Sequence, residues 1–349
     1  MSRTVTCLVA SFFLYLGASD HSLATNCAAG QSYKVVSESE VQMETVSFEI
    51  YRNGEPMEGM DDPGGSSEKR TVVTIDQILE ADSGTATKMR RVFETVEGVH
   101  TSERRGEQQY DCPLDGLTLE LQLEEGEVKV EVVDGEEPDD EQALEGHGFG
   151  FDADALLPGE AVSVDQSWEL DDDQVRRVLG LEIDRALFPR SAGDGEGRRG
   201  GGEGGGRGRR GGGGRGGNAF ALMRIAEWEA TATLASVGEK HEGENCVRIE
   251  FLFEAEGDQP EREFGRGRGR ERMFELETVP FNESTYEISI EGFLLFSLDS
   301  SLPLQLELEG TISTESNVLR ENGEMSLEIN SEEAGTFLRK LKVSLQTED

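Results

Sequence analysis

The chain predicts a mainly β protein: an antiparallel curved sheet, or an open barrel or half-barrel, with one principal helix at about 171–188. Three observations predict it. Apolar and polar residues alternate at period two through most of the chain, which sets one face of each strand on a core and the other in water. Turn signals such as Asn53-Gly54 and Glu124-Glu125-Gly126 separate the alternating runs. Helices between strands, which parallel βαβ units require, are missing.

The elements follow in order. Residues 1–24 read as a signal peptide: Arg3 supplies the positive end, Cys7 to Ala18 an apolar run, and Ser22-Leu23-Ala24 a small-residue cleavage site. An apolar run of about 12 residues is short for a hydrocarbon core of roughly 30 Å. No later segment is apolar for long enough to span one, so the chain is expected to be exported, periplasmic or secreted, with no transmembrane segment once the signal is removed.

Residues 25–190 form a β-rich first half. Val46, Phe48 and Ile50 alternate before Asn53-Gly54, and Thr71–Ile75 and Met89–Val96 add strands. Leu117, Leu119, Leu121 and Leu123 then pair with Val128, Val130 and Val132 across a turn, a predicted hairpin. A short helix is expected near Asp139–Leu144 after Pro138. The principal helix starts at Asp171-Asp172-Asp173, where acids suit the N-terminal end of the helix dipole. Val175, Val178, Leu179, Leu181, Ile183 and Leu187 supply its apolar stripe, with a bend expected at Gly180 and an end at Pro189.

Residues 191–217 read as a disordered Gly/Arg-rich loop. Between Gly193 and Gly217 there are sixteen glycines, six arginines, three acids and no apolar side chain, so nothing there can build a core. Arginine neutralises phosphates, but nucleic-acid segments of this kind add aromatic stacking partners, absent here and reduced to Phe264 in the related run Arg262–Arg272. Export and a formal net charge of −39 disfavour nucleic acid further.

Residues 218–349 form a second β-rich half, expected to share one core with the first. Trp228, Ala230, Ala232 and Leu234 alternate, then Val247, Ile249, Phe251 and Phe253, then Leu304, Leu306 and Leu308. Phe274 and Leu276 open a further run, and Met325–Ile329 and Leu341–Leu345 close the chain. Each half holds a hairpin ending in an acid and glycine, Leu117–Gly135 and Phe293–Gly310, so an internal duplication stays open.

Candidate chemistry is sparse. Cys27, Cys112 and Cys246 permit one disulfide with a thiol left over, the three pairings stay open, and Cys246 opens a strand where a buried free thiol fits. The acid clusters Asp134–Glu141, Asp152/Asp154 and Asp171–Asp173 lack an EF-hand loop and read as solvated surface. His100, His147 and His241 lack zinc spacing and sit in loop-like surroundings, with His147 in a flexible Gly146–Gly150 setting. Ser66-Ser-Glu-Lys69 matches SxxK in letters but follows Pro63-Gly-Gly in a loop, without the helical context that chemistry needs. Trp168 and Trp228 read as core or rim aromatics, with a ligand-facing pair as the alternative.

Leu156-Leu-Pro-Gly-Glu-Ala-Val-Ser-Val-Asp-Gln-Ser-Trp-Glu-Leu170 with Val175–Leu181, and Ile290–Leu298 with Leu304–Gly310, resemble phrases in exported β-rich proteins of planctomycete-type bacteria. The resemblance implies export and β architecture, and brings no activity and no site residues.

The expectation is therefore a non-enzymatic β-rich binding or envelope-associated protein without cofactor or metal. Its partner would be an apolar ligand or an extracellular or envelope polymer. The rival is a carboxylate-dependent hydrolase of an extracellular polymer, with no residue singled out as catalytic.

Overall fold

The alternating runs become thirteen strands of a single antiparallel sheet in a computed structural model that describes residues 20–57, 59, 62–188, 219–258, 281–322 and 325–346. The first half contributes β1 (Ser32–Arg52), β2 (Glu55–Pro56), β3 (Ser66–Asp82), β4 (Thr85–Ser102), β5 (Gly106–Gln109), β6 (Thr118–Glu124), β7 (Glu127–Asp134) and β8 (Ser167–Leu170). The second contributes β9 (Glu229–His241), β10 (Glu244–Asp258), β11 (Phe281–Ser297), β12 (Pro303–Asn322) and β13 (Met325–Gln346). The spatial order is β7-β6-β4-β3-β1-β13-β12-β11-β10-β9-β8, with β2 on β1 and β5 on β4.

The first and last long strands meet in mid-sheet, β1 against β13 from Ser32↔Gln346 to Arg52↔Leu327. The two halves are thereby hydrogen-bonded into one surface. The sheet stays open, with β7 and β8 as its edges. On β7 the charged Glu127, Lys129 and Glu131 alternate with valines, which blunts an edge against pairing with another chain. Asn53 and Gly54, and Glu125 and Gly126, all take positive φ, as two-residue hairpin turns between right-twisted strands require. The runs Met325–Ile329 and Leu341–Leu345 belong to a single strand of 22 residues rather than to two.

One face of the sheet is covered by a helical layer. The predicted helix is two: α1 (Asp172–Val178) and α2 (Asp184–Leu187). Asp171 caps α1, accepting from the Gln174 N–H while the Gln174 side chain accepts from the Asp171 N–H. The helix stops because Gly180 turns to φ +71°, with Gly180 N–H on Arg177 O and Leu181 N–H on Arg176 O. That is a Schellman ending, which an Asn or Gly can adopt and a branched residue resists. Near Leu144 the expected helix is a single 3-10 turn, Glu141–Leu144, capped by Asp140. A second such turn spans Asp152–Leu156, and α3 (Ala219–Ile225) follows the Gly/Arg tract.

The layer touches strands across the sheet: Tyr33 packs edge-on to Phe151, Phe93 to His147, Phe220 to Phe337 and Trp228 to Phe253. One hydrophobic cluster runs through both halves, from Leu119 and Phe93 to Phe253, Ile290 and Leu306. His21 bridges Val162 and Leu23 is buried, so this part of the expected leader packs on the same body. The opposite face is wet. Glu250, Glu254 and Glu256 on β10, Glu287 and Glu291 on β11, and Lys340 and Lys342 on β13 point outward, where a membrane-spanning strand would present an apolar band. Among the described residues, no helix is long and apolar enough to cross a membrane.

The expected Gly/Arg loop at 191–217, the Arg262–Arg272 run and the expected Phe274/Leu276 strand lie outside the described residues. The three cysteines are free, Cys27 and Cys246 buried and Cys112 half-buried. Burial raises all three thiol pKa values, Cys112 to about 11, which leaves them weak nucleophiles.

Candidate functional site

Period two places Glu68, Arg70, Val72, Thr74, Asp76 and Ile78 of β3 on the inner face. In most strands this row would be wholly apolar. Here it carries four ionisable or hydroxyl groups under the helical layer. On β4 the inner row is Met89, Arg91 and Phe93, and on β13 it is Phe337, Arg339 and Leu341. Strand register then aligns them. Ser39 of β1 faces Arg70 on one side and Arg339 on the other, while Asp76 lies directly opposite Arg91.

Each buried arginine is held differently. Arg91 makes a bidentate pair with Asp76, Nε to Oδ1 at 2.8 Å and Nη2 to Oδ2 at 2.7 Å. Burial works against its charge, but the Asp76 carboxylate outweighs that and holds the guanidinium pKa above its usual value. Arg70 donates from Nε and Nη2 to Glu68 Oε1, which also accepts the Tyr110 hydroxyl at 2.8 Å. Its guanidinium lies 3.7 Å from the Phe220 ring centroid and 4.9 Å from that of Phe188. Stacking between two rings suits the flat, weakly hydrated guanidinium.

Arg339 is the least satisfied. Nη1 donates to Leu179 O, a carbonyl left open at the end of α1, and Nη2 donates to Asp152 Oδ2 at 2.6 Å. Its Nε has no acceptor among the described residues although the side chain is 6 % exposed. Burial pulls its pKa down and Arg70 adds to this, against the opposing pull of Asp152. Gly180 makes the approach possible, since a Cβ there would fall 1.7 Å from Arg339 Nη1.

These side chains line a cavity of about 80 Å³ between sheet and helical layer. Room for one water takes roughly 10–15 Å³, so the space suits a handful of non-hydrogen atoms and not a long acyl chain. Val35, Val72 and Leu341 from the sheet and Leu179, Leu187 and Phe220 from the helices form its apolar walls. Ser37, Ser39 and Thr74 add hydroxyls, and three arginines face two aspartates, Asp76 and Asp152.

Of the residues weighed for chemistry from sequence alone, Asp152 is the one that lines this site, while Leu179, Leu187 and Leu341, expected as core, form part of its wall. Asp154 beside it accepts the Phe151 N–H and the Thr25 hydroxyl, and burial raises its pKa. Asp171 is a helix cap. Among the described residues no group of three or more His, Cys, Asp or Glu is placed to hold a metal ion. His147 is not in a flexible segment: it is 5 % exposed, packed on Phe93, with Nε2 on Ala143 O at 3.1 Å. Burial first, and Arg91 second, hold its pKa at about 4. His100 lies in β4 and His241 ends β9, so neither is a loop residue. Ser66–Lys69 opens β3 instead of lying in a loop, because the strand pairing with β1 begins at Ser66↔Met43. Trp168 and Trp228 donate to Leu156 O and Met223 O and do not line the cavity.

The missed signal was present in the sequence. Arg91 falls in phase with Met89 and Phe93, and Arg339 with Phe337 and Leu341, and a charge on the apolar parity of a strand must be buried or break the pattern.

No protein-family model matches the chain, and no curated protein matches it. The chain is similar to a solved structure described as lipid–protein interactions in lipovitellin, at 6 % identity and a TM-score of 0.30 over 92 % of this chain. It spans 26 % of that chain's length. It is similar also to the outer membrane protein OprG from Pseudomonas aeruginosa, at 5 % identity and a TM-score of 0.19, over 93 % of this chain and 99 % of that one. Likenesses this slight carry no weight for ligand or location, and the site has to be read from its own geometry.

Proposed function

We propose that this chain is an exported, non-enzymatic binding protein of the extracytoplasmic space or envelope, which holds a small ligand between its sheet and its helical layer. The observation that carries the reading is the cavity of about 80 Å³ walled by Val35, Val72, Leu341 and Phe220. Concave, mostly apolar sites with a few placed polar groups are the usual form of small-molecule sites. Export is supported by the leader-like Arg3–Ala24 and by the resemblance to exported β-rich proteins. The apolar ligand expected from sequence is narrowed by volume to a short molecule rather than a lipid tail.

The hydrolase reading would draw on Asp152 and Asp154. Both are engaged structurally, Asp152 by Arg339 and Asp154 by Phe151 N–H and Thr25, so binding is the better account.

Calorimetry and thermal shift with butanol, hexanol, hexanamide and hexanoate test the reading. Saturable binding by at least one, lost in the cavity-filling variant Val72→Phe with its far-UV spectrum unchanged, is the expected result. Should none of the four bind up to its solubility limit, the cavity is not a ligand site.

A further inference from the structure

We propose that the cavity recognises the carboxylate of a small organic acid, with the Arg70–Ser39–Arg339 row taking the head and the apolar wall taking a short hydrocarbon body. The proposal rests on the cavity being the binding site and adds the chemistry of the ligand.

Three observations carry it. Arg70 and Arg339 project from strands two apart, with Ser39 paired to both, so the two arginines leave the sheet on either side of Ser39 and all three line the cavity. At about 4.8 Å between neighbouring strands, the two arginine backbones stand roughly 10 Å apart, a span that two long side chains can close around one carboxylate. Second, the cavity wall concentrates three arginines, Arg91 and Arg339 paired to its two aspartates and Arg70 to Glu68, inside a protein whose formal net charge is −39. Glu68, the partner of Arg70, stands outside that wall. Third, Arg339 Nε is a buried donor without an acceptor among the described residues. Leaving such a donor unmet forfeits its hydration with nothing in exchange, and an incoming oxygen would restore the hydrogen bond.

A carboxylate fits this set better than other groups. Arg339 Nε–H can donate to one carboxylate oxygen, and the Ser37, Ser39 and Thr74 hydroxyls can donate to the other. Inorganic phosphate would leave Val35, Val72 and Leu341 without a counterpart. A neutral amide of the same shape would turn an N–H₂ donor toward the arginines where the carboxylate has its second oxygen.

The test compares hexanoate, hexanamide and inorganic phosphate by calorimetry at pH 7 on the full chain. Hexanoate should bind at least tenfold more tightly than hexanamide, and Ser39→Ala should weaken hexanoate several-fold while leaving hexanamide unchanged. Arg339→Met should abolish the difference between the two, provided its circular dichroism stays native. A second readout needs no ligand. Ser39→Asp supplies a carboxylate between the two arginines, so it should melt above Ser39→Asn and no longer bind hexanoate. Hexanamide binding as tightly as hexanoate would overturn the carboxylate assignment and leave the cavity reading standing. Phosphate matching hexanoate would overturn the organic acid. Ser39→Asp melting below Ser39→Asn would overturn the anion-seeking row itself. If neither hexanoate nor any neutral molecule binds, both readings fall.

Discussion

On the β9–β12 flank the inward residues Leu234, Val247, Ile249, Phe251, Phe253, Ile290, Leu306 and Leu308 are apolar, whereas on the β3–β4 flank the inward rows include Glu68, Arg70, Thr74, Asp76 and Arg91. Both flanks are long antiparallel strands, and both lie under the same helical layer. The apolar flank is stabilised in proportion to the area and volume it buries, since carbon contacts are non-directional. The charged flank depends on pairing, because a buried guanidinium without its carboxylate costs more than the pair contributes. Shape should matter on one side and charge on the other.

The largest difference should appear with substitutions that keep shape. Asp76→Asn preserves volume but removes the charge facing Arg91, and should destabilise by about 3–5 kcal/mol in urea unfolding. Ile290→Leu is the matching swap on the apolar flank and should cost less than about 1.5 kcal/mol. The double variant Asp76→Leu with Arg91→Met should recover most of the first loss, because no charge is then stranded. Equal costs for Asp76→Asn and Ile290→Leu would erase the distinction between the flanks.

Acid should separate the flanks next. His147 is buried beside Arg91 and Asp76 on the charged side, with a folded pKa of about 4 against an ordinary value of 6.5. The unfolded chain therefore takes up this proton first, and stability should fall as pH drops from about 6.5 to 4, by as much as about 3 kcal/mol. Asp154 has the opposite sign. Burial raises its folded pKa, so its contribution is present at low pH and is lost as pH rises through that value. Melting temperatures from pH 7 to 4 should decline for the wild type and decline less for His147→Phe. Parallel declines would remove His147 as the cause.

The Arg339 seat gives a smaller effect. Gly180 and Gly126 both hold positive φ, so alanine at either meets left-handed strain of roughly 1–2 kcal/mol. Only at Gly180 would the new Cβ also displace a guanidinium, since nothing lies within 4 Å of the same position at Gly126. The excess cost of Gly180→Ala over Gly126→Ala, measured by thermal unfolding, reports the contact between α1 and Arg339. No excess would mean that Arg339 moves aside freely.

These residues also mark how far the sequence could be read. Alternation at Leu117–Leu123, Val247–Phe253 and Leu304–Leu308 was legible because each strand buries one face, and parity alone assigns that face. The helix stripe was legible, but its division at Gly180 depends on a single φ that periodicity does not record. The site was hidden for another reason. Arg70, Ser39 and Arg339 become neighbours only through the β3–β1–β13 order, and the pairing of the first long strand with the last is a contact across nearly the whole chain. Motif spacing cannot show a row assembled across strands, though the misplaced parity of Arg91 and Arg339 could have pointed to it.

The smallest expected effect isolates burial from geometry. Lys34–Glu94 and Arg91–Asp76 are ion pairs of the same length, 2.7 Å, but their side chains are 38 % and 42 % exposed in the first and 10 % and 4 % in the second. Water and salt screen the exposed pair, and two flexible side chains lose freedom to hold it. A double-mutant cycle with Lys34→Met and Glu94→Gln should therefore give a coupling below about 1 kcal/mol. In 1 M salt, where the screening length is about 3 Å, that coupling should vanish. The Asp76→Asn loss should persist in the same salt, because ions do not reach a pair enclosed between sheet and helices. A salt-sensitive Asp76→Asn loss would place Arg91 in contact with solvent and make the charged flank an ordinary wet surface.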